Sequence, residues 1–198
     1  MVIHKPAGVL TVPGKTEDLQ DCVINRLLKI EPKTLLIHRL DRDTSGILVF
    51  GLTKWGQKTI SRQFQERQTE KTYQAVVAGH LEGEGTVDVP VIYDPEHPPL
   101  HIAAPDHNKP ALTHWQVIEH FEIQEQAVTR VRLNPITGRS HQLRVHMQYL
   151  GHPIVGDTLY AVPEQQKLIP RLCLHAERLS FHHPQSQALL EFYCPVPF

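Results

Sequence analysis
The sequence predicts an α+β fold, a mixed and mainly antiparallel β-sheet with flanking helices and loops. Three observations lead there. Short apolar runs of strand type outnumber the stretches with helical spacing. Two neighbouring runs, residues 112–121 and 127–134, are joined by a short polar link, as in an antiparallel hairpin. The length of 198 residues suits one domain, and no segment marks a second core.

Taken in order, Val2-Ile3 reads as the end of a strand, and Lys5-Pro6-Ala7-Gly8 and Val12-Pro13-Gly14 as a loop. Leu19, Val23, Leu27 and Ile30 recur at helical spacing, which predicts an amphipathic helix over residues 17–30. Residues 47–52 are a strand. A second helix over residues 54–67 turns Ile60 and Phe64 inward and sets Lys54, Lys58 and Arg62 on one face. Residues 73–78 form a strand, and residues 79–110, rich in Gly, Pro and acids, form an excursion with short strands. After the hairpin, Pro135-Ile136-Thr137-Gly138 is a turn. Ser140 is an expected N-cap for a helix over about 141–150 that ends at Gly151. Residues 172–181 and 188–193 close the chain as strands.

The net charge of −1 does not mark a nucleic-acid binder, but the charge is segregated. Residues 39–71 hold Arg39, Arg42, Lys54, Lys58, Arg62, Arg67 and Lys71 against Asp41, Asp43, Glu66 and Glu70. Residues 130–144 hold Arg130, Arg132, Arg139 and Arg144 and no acid, whereas residues 82–106 hold six acids and no Lys or Arg. Two basic segments that met in space would make a phosphate-binding face. Cys22, Cys173 and Cys194 follow no disulfide or zinc pattern, which fits a reducing cytoplasm. No apolar run reaches membrane-spanning length. Among 14 histidines, His141 with His146 and His182 with His183 match no ligand spacing, so no metal is expected.

The most informative stretch is His38-Arg39-Leu40-Asp41-Arg42-Asp43-Thr44-Ser45-Gly46, followed by Ile47-Leu48-Val49-Phe50. It sets an aspartate between two arginines, then turn formers, then a buried-strand run. A carboxylate on a loop at a strand edge with cations beside it is a candidate reactive group. It is equally a surface Asp–Arg pair of the common, weak kind.

The stretch resembles the His-Arg-Leu-Asp-x-x-Thr-Ser-Gly signature of the RluA-type pseudouridine synthases, a branch of the RsuA/RluA superfamily. The resemblance runs through nearly the whole chain. It includes His4-Lys5-Pro6-Ala7-Gly8, Glu70-Lys71-Thr72-Tyr73-Gln74-Ala75 and Gly138-Arg139-Ser140-His141-Gln142-Leu143-Arg144-Val145-His146. It continues through His152-Pro153-Ile154-Val155-Gly156-Asp157 and Leu172-Cys173-Leu174-His175-Ala176, then His183-Pro184. Residues 135–147 and Pro170-Arg171-Leu172 favour the dual-specificity branch, whose members modify uridines in large-subunit ribosomal RNA and in a tRNA anticodon stem-loop. His4 stands where asparagine is usual, and Met1 falls almost inside the first motif. The expectation is therefore one catalytic domain over residues 1–198, with a shortened first strand and no N-terminal RNA-binding domain.

What the resemblance implies is an RNA pseudouridine synthase without cofactor. Its Asp41 is the essential carboxylate, Arg144 the partner of Asp41, and Tyr73 stacks on the base and acts at C5. Arg39 helps displace the target nucleotide, and Lys71 and Arg139 contact RNA. Arg62, read from its helix face rather than from a motif, is either a phosphate contact or part of a solvated charged face. Leu174 is either a wall for the uracil or a buried strand leucine. The expected partner is RNA alone, for a monomer. Asp43 and the motif histidines His141, His146 and His175 read as structural, and Asp157 as a loop cap. Two other classes compete: a non-catalytic RNA-binding module of the same fold, and a hydrolase, which would need a second acid.

Overall fold
A computed structural model describes residues 1–198, folded as two compact units. The first comprises Met1–Lys71 and His175–Pro197, the second Thr72–Leu174 and Phe198.

In the first unit, the unbroken run of small and apolar residues in β3 (Ser45–Gly51) is buried at every position, so both of its faces are covered. β1 (Val2–Lys5) pairs antiparallel with it, Val2 opposite Val49 and Lys5 opposite Gly46. The two-residue β2 (Leu35–Leu36) pairs antiparallel at its far end. From His175 onward, β10 (Leu174–His182) runs parallel to β3, and β11 (Leu189–Tyr193) returns antiparallel on β10. The α2 helix (Lys54–Gln65) starts where Thr53 Oγ1 accepts the Gly56 N–H at 3.0 Å, a side-chain N-cap. It buries Ile60 and packs Phe64 against Ile47, Val49, Leu179 and Phe181, as the spacing predicts, and leaves Lys54, Lys58 and Arg62 exposed.

Gly46 is where β3 meets β10. Its φ is +119°, and a Cβ there would lie 2.2 Å from the Ala176 carbonyl oxygen. Gly46→Ala is expected to destabilise the protein by about 3 kcal/mol or more, since backbone on both sides has to move. Urea unfolding checks this, and an unchanged midpoint at unchanged slope contradicts it.

The helix expected over residues 17–30 is only α1 (Val23–Leu28), preceded by a single 3-10 turn over Glu17–Leu19. The reason is long-range. The Val23 and Ile24 N–H groups donate to Leu10 O and Thr11 O, Gly14 N–H donates to Leu19 O, and Cys22 is extended and bridges to Leu10. Those bonds tie residues 19–24 to the 10–14 loop.

The second unit carries an antiparallel sheet in the order β4 (Glu70–Ala78, here from Thr72), β9 (Gln126–Pro135), β8 (Leu112–Ile123), β5 (Glu84–Asp88). The β8–β9 link is tight, with positive φ at Gln124 and Glu125. The 79–110 excursion holds β5 and a hairpin of β6 (Val91–Tyr93) and β7 (His101–Ala103). The core contains Ala75, Val77, Val131, Leu133, Leu143, Met147, Ile154 and Leu174. A five-residue helix, α4 (Pro163–Lys167), follows α3 (Gln142–Tyr149).

Ser140 is not the cap of α3. It is exposed, and the residue before the helix is His141, in the left-handed region at φ +55°. The Gln142 side chain does the fastening instead. Its Oε1 accepts from Arg139 N–H (2.9 Å) and Thr137 Oγ1 (2.8 Å), and its Nε2 donates to Leu112 O and Thr113 Oγ1. Every bonding group of the buried amide is used, which is what burial demands.

Candidate active site
Of the predicted site residues, Arg39, Asp41, Arg62 and Lys71 belong to the first unit and Tyr73, Arg139, Arg144 and Leu174 to the second.

Asp41 is half-buried on the loop between β2 and β3, beside exposed Arg39 and Arg42. Both of its neighbours are pinned. The buried Thr11 hydroxyl donates to Leu40 O at 2.7 Å and accepts Leu40 N–H at 3.2 Å. Lys5, only 2% exposed, donates from Nζ to Pro6 O (2.9 Å), Val9 O (2.6 Å) and Arg42 O (2.8 Å). Three carbonyls match the three protons of an ammonium. The loop that presents Asp41 is thus held on either side by buried bonds, the support that a precise functional group requires.

His38, first in the signature, accepts the Val49 N–H on Nε2 (3.1 Å) and stacks on Phe64 with ring centroids 4.6 Å apart. Burial, with the Lys71 charge added, lowers its pKa to about 3, so it stays a neutral acceptor. Lys71 is itself lowered to about 8 by burial and then by the Arg67 charge, which leaves it a cation at neutral pH. His175 faces Cys194 O through Nε2 and the Ser45 hydroxyl through Nδ1 at 2.7 Å, and so fastens the start of β3.

In the second unit, His146 is fully buried, with Nε2 on Val89 O and Nδ1 on Thr113 Oγ1, and burial lowers its pKa. The unfolded chain protonates these imidazoles near the ordinary value of 6.5, whereas the fold refuses the proton. Stability should therefore fall as pH drops below about 6.5, for His38 down to about 3. The slope is at most about 1.4 kcal/mol per pH unit for each group. Urea midpoints at pH 7 and pH 5 test this, with the drop reduced in His38→Gln; equal midpoints in the parent protein contradict it.

Tyr73 is half-buried on β4, opposite Leu133 of β9 and against the core. Leu174 is buried in that core, the structural alternative its sequence context offered. The 130–144 segment is not a uniform basic face. Arg130 binds Glu119 at 2.6 Å, Arg132 donates to Gln116 Oε1, and only Arg139 is exposed, with Nε on Pro110 O.

Arg144 is buried on α3 and donates a two-pronged bond to Asp157, Nε to Oδ2 and Nη2 to Oδ1, each at 2.7 Å. The two side chains are 4% and 0% exposed. Asp157 does cap its loop, since Oδ1 accepts the Leu159 and Tyr160 N–H groups. Its hold on Arg144 is the feature that sequence reasoning missed. The one available signal was an acid inside a matched motif, read there only as a loop cap.

The fold also gathers His80, Glu82 and His120, whose donor atoms lie within 4.8 Å of one another. His80 already bonds Glu82 at 2.6 Å and His120 bonds Leu81 O. The two imidazoles stack at 3.8 Å with planes 15° apart. In-plane lone pairs of stacked rings run side by side and do not converge on one ion as a tetrahedral centre requires.

The profile of the RNA pseudouridylate synthase family matches residues 1–149. The dual-specificity RNA pseudouridine synthase RluA of Pasteurella multocida (strain Pm70) is 46% identical over 199 residues, covering 100% of this chain and 90% of that protein. The enzyme of the same name from Escherichia coli (strain K12) is 45% identical over the same shares. Among solved structures, human RNA Pseudouridylate Synthase Domain Containing 1 is similar at a TM-score of 0.83 and 32% identity, over 100% of this chain and 80% of that one.

Proposed function
The chain belongs to the RNA pseudouridylate synthase family, and from that premise we propose that it isomerises specific uridines in large-subunit ribosomal RNA and in a tRNA anticodon stem-loop. The observation that supports this most is full-length similarity to dual-specificity enzymes at 45–46% identity. In the reaction the N1–C1′ bond of the nucleotide breaks, the uracil turns, and C5 joins C1′. No redox change and no cofactor is needed.

Asp41 is the reacting carboxylate in this reading, either attacking C1′ or removing a sugar proton. Arg144 is its cationic partner. Tyr73 stacks on the base and takes part in losing the proton at C5. Arg39 helps displace the target nucleotide, which must leave its stack for chemistry on a base in a folded RNA. Arg62, Lys71 and Arg139 serve phosphates, and Leu174 serves packing. Both units belong to one catalytic domain in this proposal, because the motif residues are divided between them. No helix is long and apolar enough to cross a membrane. A monomer in the cytoplasm completes the reading.

Transcribed ribosomal RNA fragments and tRNA, incubated with the protein and mapped for pseudouridine, provide the test. Conversion of a single uridine in each RNA is expected. Binding without conversion would favour the RNA-binding module instead, and conversion in one RNA only would reject dual specificity. A hydrolase, which needs a second acid, is disfavoured in so far as the carboxylate of Asp157 is committed to Arg144.

A further inference from the structure
We infer that Asp157 and Tyr160 form the seat that presets Arg144, which makes both of them positioning residues for pseudouridine formation. The inference rests on the reading that Arg144 acts in the reaction.

A buried guanidinium without an anion is strongly unfavourable, and a long side chain left unheld samples many rotamers. Asp157 answers both needs. Its carboxylate occupies the Nε and Nη2 edge of the fork with two parallel bonds, a geometry that fixes direction as well as charge. Asp157 is in turn immobile. Two backbone N–H groups, from Leu159 and Tyr160, converge on Oδ1. The preceding Gly156 sits at φ +74°, where a Cβ would lie 1.8 Å from the Arg171 carbonyl oxygen, so the loop approaches that backbone as closely as a glycine permits.

Tyr160 supplies the floor. The Arg144 Cζ lies 5.0 Å from the centroid of its ring, within cation–π range. The ring is anchored at its hydroxyl, which accepts the His101 N–H at 2.9 Å and meets His141 Nδ1 at 2.7 Å. His141 is the left-handed residue just before α3, three positions before Arg144. The start of the arginine's helix, the loop carrying its counter-ion and strand β7 therefore all meet at one phenol. The guanidinium of Arg144 is thereby held at Nε, at Nη2 and over its face. Its orientation is set before RNA arrives, and such preorganisation favours the chemical step over ground-state binding.

The test uses Asp157→Asn, Tyr160→Phe and Arg144→Met, assayed for kcat and KM on a stem-loop RNA below their melting temperatures. Asp157→Asn is expected to lower kcat on the order of 100-fold with KM nearly unchanged, the size of effect that small misplacements produce. It should also move the acid limb of the pH–rate profile to lower pH, because the Arg144 charge is no longer balanced. A purely structural role would not move that limb. Tyr160→Phe keeps the ring but removes the anchor, and is expected to lower kcat about tenfold. A folded Asp157→Asn with parental kcat and pH profile overturns the inference. Should that variant fail to fold, parental kcat in Tyr160→Phe overturns it. Inactive Arg144→Met beside fully active Asp157→Asn and Tyr160→Phe would remove the seat and spare the reading of Arg144. Parental turnover in Arg144→Met would remove the reading itself.

Discussion
Replacing Asp41 by asparagine is expected to abolish pseudouridine formation while RNA is still bound. Asparagine has the same shape, and the bonds that pin this loop come from Thr11 to the Leu40 backbone and from Lys5 to the Arg42 carbonyl. Those bonds are made to backbone atoms on either side of residue 41, so they persist in the variant. What is lost is the chemistry. A carboxamide neither attacks C1′ at a useful rate nor accepts a sugar proton. Removal of a reacting group of this kind lowers kcat by on the order of 10⁴-fold or more. Affinity should hold or rise slightly, because a negative charge has been taken from the proposed RNA-facing surface, and the slope of affinity against salt should not change. Filter binding and pseudouridine mapping on the same stem-loop give both numbers. Conversion equal to the parent's would strip Asp41 of its role, and loss of affinity in step with conversion would make it a binding residue.

How much of this was legible in the sequence depended on the range of the forces involved. The α2 helix and the β8–β9 hairpin are set by local patterns, apolar residues recurring at helical spacing in one and two apolar runs around a short polar link in the other, and both stand where the sequence put them. Burial of β3 follows from its unbroken apolar run. The helix over residues 17–30 failed because periodicity says nothing about donors that distant carbonyls claim, here those of Leu10 and Thr11. Ser140 failed for a related reason. A serine is a good cap only where the backbone before the helix is extended, and His141 turns left-handed instead. The Arg144–Asp157 pair spans 13 residues through a turn at Gly151 and the tight passage at Gly156, and no spacing rule for side chains on one helix reaches so far. A resemblance could name Arg144, but only coordinates could show which acid holds it in its own unit.

Lys5 illustrates the same limit and carries the second large effect. In the sequence it is a lysine before a proline in a matched motif, with no role that the motif spells out. In the structure it is 2% exposed and its ammonium satisfies the carbonyls of Pro6, Val9 and Arg42. Lys5→Met keeps most of the volume and the straight stem but removes all three donors. Each bond from a charged donor contributes roughly 1.5–3 kcal/mol, and relief from burying a charge offsets part of the loss. A net destabilisation of about 3 kcal/mol is expected, a large share of a typical domain's total. Turnover should fall as well, since Arg42 O is bonded next to Asp41 and the loop would lose one of its two clamps. Arginine is not expected to rescue, because a planar fork cannot aim at three carbonyls gathered around one nitrogen. Thermal melting together with kcat at a temperature where the variant remains folded separates the two effects. A melting temperature within a degree of the parent's would show that the three bonds contribute nothing net. A full kcat in a destabilised Lys5→Met would show that Thr11 alone suffices to hold Asp41 in place.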